Sequence, residues 1–64
     1  MTVKLLKLNE VLEMVVIKRT TVYSMMSSGT FPLPLKMGNR TIAWVEDEID
    51  EWILNRPRAE IASN

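Results

Sequence analysis

The apolar positions along this chain change period twice. Val11, Leu12 and Val15 stand at i, i+1 and i+4, with Met14 at the edge of the same face. That spacing predicts a short amphipathic helix. Asn9 is its expected cap, and Glu10 falls in the first turn, where the helix dipole favours an acid. A second helix is predicted from Lys18 or Arg19 to Ser28. Val22, Met25 and Met26 form its apolar stripe, and Gly29 is placed to supply the left-handed residue that ends it. From Phe31 the period becomes two. Pro32 and Pro34 cannot continue a helix. Leu35 and Met37, then Ile42 and Trp44, alternate with Lys36, Thr41 and Ala43. Gly38-Asn39 between these runs suits the positive φ of a tight hairpin turn. The helical period returns with Val45, Ile49, Trp52 and Ile53. Glu46, Asp47 and Glu48 fill the first turn, Arg56 is expected to close the last, and Pro57 stops the helix.

Two short helices joined by a few residues have the layout of a helix-turn-helix. A lone two-stranded hairpin is marginal in water, so this one must pack on the helices. The order helix, helix, hairpin, helix predicts a mainly α fold with a small two-stranded antiparallel hairpin, a winged helix-turn-helix. Residues 1–56 are expected to form that domain and residues 57–64 a C-terminal tail. A chain of 64 residues makes one domain. At this size only about 60% of the unfolded surface is buried, so the stability margin is thin. Trp44 and Trp52 are the large packing residues that so small a core needs.

Composition removes several functions. The chain has no cysteine and no histidine. It therefore lacks a disulfide framework, a thiolate metal site, the commonest general base and the commonest transition-metal ligand. Serines and threonines are present, but no histidine can activate them, and there is no glycine-rich phosphate loop. No enzyme activity, metal or cofactor is expected. The acids from Glu46 to Glu51 read as a solvated helix face, since they lack calcium-loop spacing. No apolar run approaches the roughly 18–20 residues that span a bilayer, and the N-terminus has no signal-peptide core. A soluble, cytoplasmic protein is expected.

Charge changes the picture more than composition does. Eight basic and eight acidic side chains leave the chain neutral. They are nevertheless sorted along it. Residues 16–44 hold Lys18, Arg19, Lys36 and Arg40 and no acid, whereas residues 45–64 hold six acids against Arg56 and Arg58. A neutral protein can still present one positive face. The second helix would begin with Lys18, Arg19, Thr20 and Thr21, followed by Tyr23 and Ser24. Base contacts of a recognition helix cluster near its N-terminal end. Arg19 can pair bidentately with guanine or with a phosphate. Thr20, Thr21 and Ser24 are short donors, and Tyr23 can lay its ring on a sugar and give its hydroxyl to a phosphate. Lys36, Asn39 and Arg40 cluster at the hairpin turn, where a charged tip can meet phosphate or enter a narrow minor groove. A solvated polar helix face or an ordinary edge charge would explain either element alone. Helix and wing together point to double-stranded DNA.

The segments "RTTVY" (19–23), "SGTFPLPLKMGNR" (28–40), "AW" (43–44) and "EIDEWI" (48–53) also carry a family likeness. From Leu5 to about Arg56 the chain resembles the AlpA family of phage and prophage regulatory proteins. These are small winged helix-turn-helix DNA binders related to excisionases and to the DNA-binding domain of MerR-type regulators. The resemblance implies sequence-specific binding of double-stranded DNA by a prophage or mobile-element transcription regulator of the bacterial nucleoid. It places Arg19, Thr20, Thr21, Tyr23 and Ser24 on the recognition helix and Lys36, Asn39 and Arg40 in the wing. Three positions depart from the family pattern. Val16 replaces the usual turn glycine, Lys18 a frequent serine cap, and Ser24 a frequent basic residue, which removes one phosphate or base contact. A single small module implies self-association on DNA, as a dimer or cooperative array, or a partner such as an integrase or another regulator. The alternatives are an excisionase-like architectural protein that bends DNA, and an adaptor or antirepressor that binds a protein instead of DNA.

Overall fold

The computed structural model describes residues 2–61. In chain order the elements are β1 (Leu5–Leu6), α1 (Leu8–Val15), α2 (Arg19–Ser27), β2 (Leu35–Lys36), β3 (Ile42–Val45) and α3 (Glu46–Leu54). The three strands form one antiparallel sheet in the order β1-β3-β2. This is the mainly helical winged helix-turn-helix that the periodicity predicts, with a third strand added. Among the described residues no helix is long and apolar enough to cross a membrane. Residues 57–61 have no regular secondary structure, and the last three residues of the expected tail lie outside the described residues.

Every element except β2 commits a side chain to one core. Leu6 of β1, Val11 of α1, Val22 of α2, Trp44 of β3 and Ile49 of α3 are buried together with Phe31, which lies between α2 and β2. Met14, Val15, Ile17, Met25, Met26, Trp52 and Ile53 pack around this cluster. Full burial of one such aliphatic side chain stabilises by about 1.5–3 kcal/mol. The central strand β3 touches β1, β2, α1 and α3, so it is the frame on which the other elements are set.

β1 has no signal in the pattern of the chain, because two residues cannot show a period. It is recruited by pairing: Leu5 lies opposite Val45 and Leu6 opposite Trp44. The edge continues as Glu46 donates its backbone N–H to the Lys4 carbonyl at 2.9 Å. This bond also satisfies one of the exposed donors at the start of α3.

Three local expectations are corrected. Asn9 does not cap α1. Lys7 occupies the cap position with extended backbone, and its N–H donates to Glu10 Oε1 at 2.8 Å. A carboxylate three residues into the helix reaches back, as in a capping box, and this pulls the helix start two residues earlier. Gly38-Asn39 is not a positive-φ turn, since only Val16 and Gly29 have positive φ among the described residues. The hairpin instead has a three-residue loop, residues 38–40, closed by the Met37 N–H donating to the Thr41 carbonyl at 2.7 Å. The odd loop shifts the pairing by one residue, so Leu35 faces Ala43 and Lys36 faces Ile42. A shift of one residue exchanges the faces of a strand. Leu35 and Met37 therefore lie exposed instead of joining Ile42 and Trp44 in the core. Finally, Arg56 is not in the last turn of α3, which ends at Leu54. Its guanidinium sits 4.6 Å from the centroid of the Trp52 ring, a cation–π contact.

Candidate nucleic-acid interface

The candidate interface starts at the turn between α1 and α2. Val16 takes the left-handed conformation, with φ 57° and ψ 39°, and donates its N–H to the Leu12 carbonyl at 3.0 Å. Left-handed backbone suits glycine and is unfavourable for a β-branched residue. The Val16 side chain is 86% exposed, so little packing offsets that strain. Ile17 then drops onto the core, and Lys18 is extended at φ −70° and ψ 152°. The chain thus turns within three residues and launches α2 from Arg19.

The N-terminus of α2 is open. Lys18 makes no side-chain cap, and no acid stands in the first turn. The first internal bond runs from the Val22 N–H to the Lys18 carbonyl at 3.0 Å, so the N–H groups of Arg19, Thr20 and Thr21 have no intrahelical acceptor. Lys18 and Arg19 add full positive charge beside these partial ones. The other end is closed. Gly29, at φ 77°, donates to the Met26 carbonyl at 3.2 Å, and Thr30 donates its N–H to the Met25 carbonyl at 2.8 Å. This pair of bonds is a Schellman cap. The Ser28 and Thr30 hydroxyls each stand 3.1 Å from the same Met25 carbonyl.

Val22 anchors α2 in the core, which leaves its polar side free. Arg19, Thr20, Thr21, Tyr23 and Ser24 are all exposed on this helix, and Lys18 is exposed before it. Lys36 is exposed on β2, and Asn39 and Arg40 are exposed in the loop that follows. Among the described residues, none of these nine side chains is held by an internal hydrogen bond or ion pair. They form two groups, one on the helix and one on the hairpin.

The segment that connects the two groups carries no charged side chain and is not among the candidate residues. Residues 30–34 cross from α2 to β2 as a strap. Trp52 donates its indole N–H to the Thr30 carbonyl at 2.8 Å, and Trp44 donates to the Pro32 carbonyl at 3.0 Å. Phe31 between them is buried and meets Trp52 edge-on, with centroids 4.7 Å apart and planes at 63°. The available signal was the pair of tryptophans, since a packed indole N–H needs an acceptor.

The family model described as "Prophage CP4-57 regulatory protein (AlpA)" matches residues 4–57, from the edge of β1 to just past α3. The chain belongs to this AlpA family. A relative in Escherichia coli (strain K12), "DNA-binding transcriptional activator AlpA", is 32% identical over 60 residues, covering 84% of this chain and 86% of the relative. A second, "Uncharacterized protein ORF88" of Enterobacteria phage P4, is 28% identical over 53 residues. That match covers 83% of this chain but 60% of the phage protein, so the chain spans less than two thirds of that relative's length. No solved structure gives a significant match. Every one of the nine candidate residues lies inside the part of the AlpA-family chain that the family model covers.

Proposed function

We propose that this AlpA-family chain is a sequence-specific double-stranded DNA-binding transcription regulator of prophage or mobile-element origin. The observation that carries the reading is the open N-terminus of α2. It has three unpaired N–H groups, no acid, and Lys18 and Arg19 beside them. Such an end attracts phosphate. The relative named as a DNA-binding transcriptional activator supports the same partner. In the proposed complex α2 enters the major groove, where a helix fits. Arg19, Thr20 and Ser24 read base edges. Lys18, Thr21 and Tyr23 hold the backbone of the same site. Lys36, Asn39 and Arg40 form the wing, on the adjacent backbone or minor groove. The acids of α3 belong to the side turned away from the phosphates.

A titration at two salt concentrations tests this, using DNA from the gene's own upstream region, an adjacent attachment site and random sequence. Each phosphate contact adds about 0.9 to the salt slope. Arg40→Ala is expected to weaken binding to every fragment and to lower the slope by about that amount. Arg19→Ala is expected to cost ~1–3 kcal/mol on the preferred fragment and to relax preference. Equal losses on specific and random DNA would move Arg19 into the phosphate class. A folded protein that binds no duplex at low salt would contradict the reading and favour a protein partner.

A further inference from the structure

We propose that Trp52 and Trp44 are positioning residues that set the spacing between the recognition helix and the wing. The inference rests on the DNA-binding reading above.

The strap is the covalent connection between α2 and β2, and it is tied at three points. Its first residue is bound to α2, because the Thr30 N–H closes the Schellman cap on the Met25 carbonyl at 2.8 Å. The carbonyl of that same residue accepts the Trp52 indole N–H from α3 at 2.8 Å. Two residues on, the Pro32 carbonyl accepts the Trp44 indole N–H from β3 at 3.0 Å. Pro32 and Pro34 have no N–H of their own, so the strap cannot be secured through their donors. Its carbonyls serve instead. Phe31 stops the strap from sliding, because its ring is buried against Trp52. The Arg56 guanidinium lies over that indole, 4.6 Å from its centroid.

The reach of the tie follows from the chain. Three residues after Pro32 the strap becomes β2, and the loop with Asn39 and Arg40 follows directly. Thr30 closes the cap of α2, three residues past Ser27, the last residue of the helix. A bidentate reading needs both groups in register with one stretch of duplex, and phosphates on a strand recur at fixed intervals. A strap that drifts along α3 changes the distance between Arg19 and Arg40 without unfolding either element. Apolar packing alone has no direction along the strap. The indole nitrogens add direction.

The test removes the N–H donor and keeps an aromatic side chain at position 52. Trp52→Phe is prepared alone and with Arg40→Ala, and the same two steps are made in the wild-type background. Binding to the preferred fragment is measured across salt, at a temperature where circular dichroism shows all four proteins folded. Trp52→Phe is expected to lower the salt slope by about 0.9, as one wing contact is lost. Arg40→Ala is then expected to weaken the Trp52→Phe protein by a smaller factor than it weakens wild type, at least about twofold smaller, because the two residues act on one contact. Hydroxyl-radical protection from the wing is expected to fade while protection from α2 remains. A merely structural role lowers the folded fraction equally at all salts and leaves both the slope and the Arg40 factor unchanged. That result overturns the inference. If Trp52→Phe does not fold, a chemically synthesised 64-residue chain carrying the sulfur isostere of indole at position 52 removes the N–H alone, with the same readouts. A wild-type chain that binds no duplex overturns the DNA-binding reading and this inference with it. Normal wild-type binding with an unaffected variant overturns the inference alone.

Discussion

The second and third helices make a controlled pair. Each is nine residues long, each starts from an extended residue without a side-chain cap, and each anchors itself with one buried residue, Val22 or Ile49. They differ at their N-termini. α3 brings Glu46, Asp47 and Glu48 into its first turn and gives the Glu46 N–H to the Lys4 carbonyl. α2 brings no acid and leaves its first donors unpaired among the protein's own groups. α1 sits between these extremes, since Glu10 reaches back to the Lys7 N–H. A helix that neutralises its own dipole is built for stability. A helix that leaves its dipole open is less stable in isolation and ready for an outside anion. The acids of the chain accordingly stand in the first turns of α1 and α3 and are absent from that of α2.

The largest way to break the pair is to remove an anchor. Ile49→Ala is expected to cost ~2–5 kcal/mol, a large share of the ~5–15 kcal/mol that holds an ordinary domain together. Ile49 and Val22 belong to one cluster, so thermal unfolding should stay a single transition that takes both helices. Separate melting of the two helices by circular dichroism would show that the shared core does not couple them.

Next in size is an exchange of helix ends. Thr21 holds in α2 the position that Glu10 holds in α1, three residues past a lysine at the cap. Thr21→Glu transplants that cap. It is expected to raise stability by up to ~1 kcal/mol and to weaken DNA binding by ~1–3 kcal/mol. Chemical denaturation and the DNA titration read the two effects, which have opposite signs. A gain in both would place the DNA away from this helix end.

The two left-handed residues sharpen the picture further. Gly29 ends α2 in the ordinary way, whereas Val16 ends α1 with a β-branched side chain at φ 57°. Val16→Gly relieves a strain of about 1–2 kcal/mol, partly offset by the extra freedom that glycine gives the unfolded chain. A net gain of about 1 kcal/mol is expected, which is roughly 4–8 °C in Tm for a domain this size. DNA affinity should hold, because Val16 is not among the nine candidate residues. An unchanged Tm would mean that the turn carries no strain. The smallest effect belongs to α3. Glu48→Gln should lower stability by ~0.3–1 kcal/mol through the dipole and leave DNA binding unchanged. A loss of binding would instead bring α3 into the interface.

Much of this architecture could be read before any coordinates. α2 and α3 show a 3.6-residue period over nine residues each, and Gly29 marks a helix end that the fold uses. The exposure of all nine candidate residues also follows from the pattern, since each lies off the apolar stripe or in the hairpin turn. The departures have specific causes. β1 is two residues long and exists only because β3 offers it an edge. The hairpin register depended on whether two or three residues make the loop, and Gly38-Asn39 fits both readings until the Met37–Thr41 bond decides. Arg56 had two attractive sites, a helix end and an aromatic ring, and the ring won.

The sequence by itself determined the order of the three helices and the hairpin, the stripe each helix buries and the segregation of charge, because these depend on local spacing and residue type. Tertiary structure alone decided how the positive helix and the positive hairpin are joined. That connection rests on hydrogen bonds from Trp44 and Trp52 to carbonyls 12 and 22 residues away in the chain. Backbone carbonyls are common to every residue, so no pattern of side chains announces which of them an indole will find.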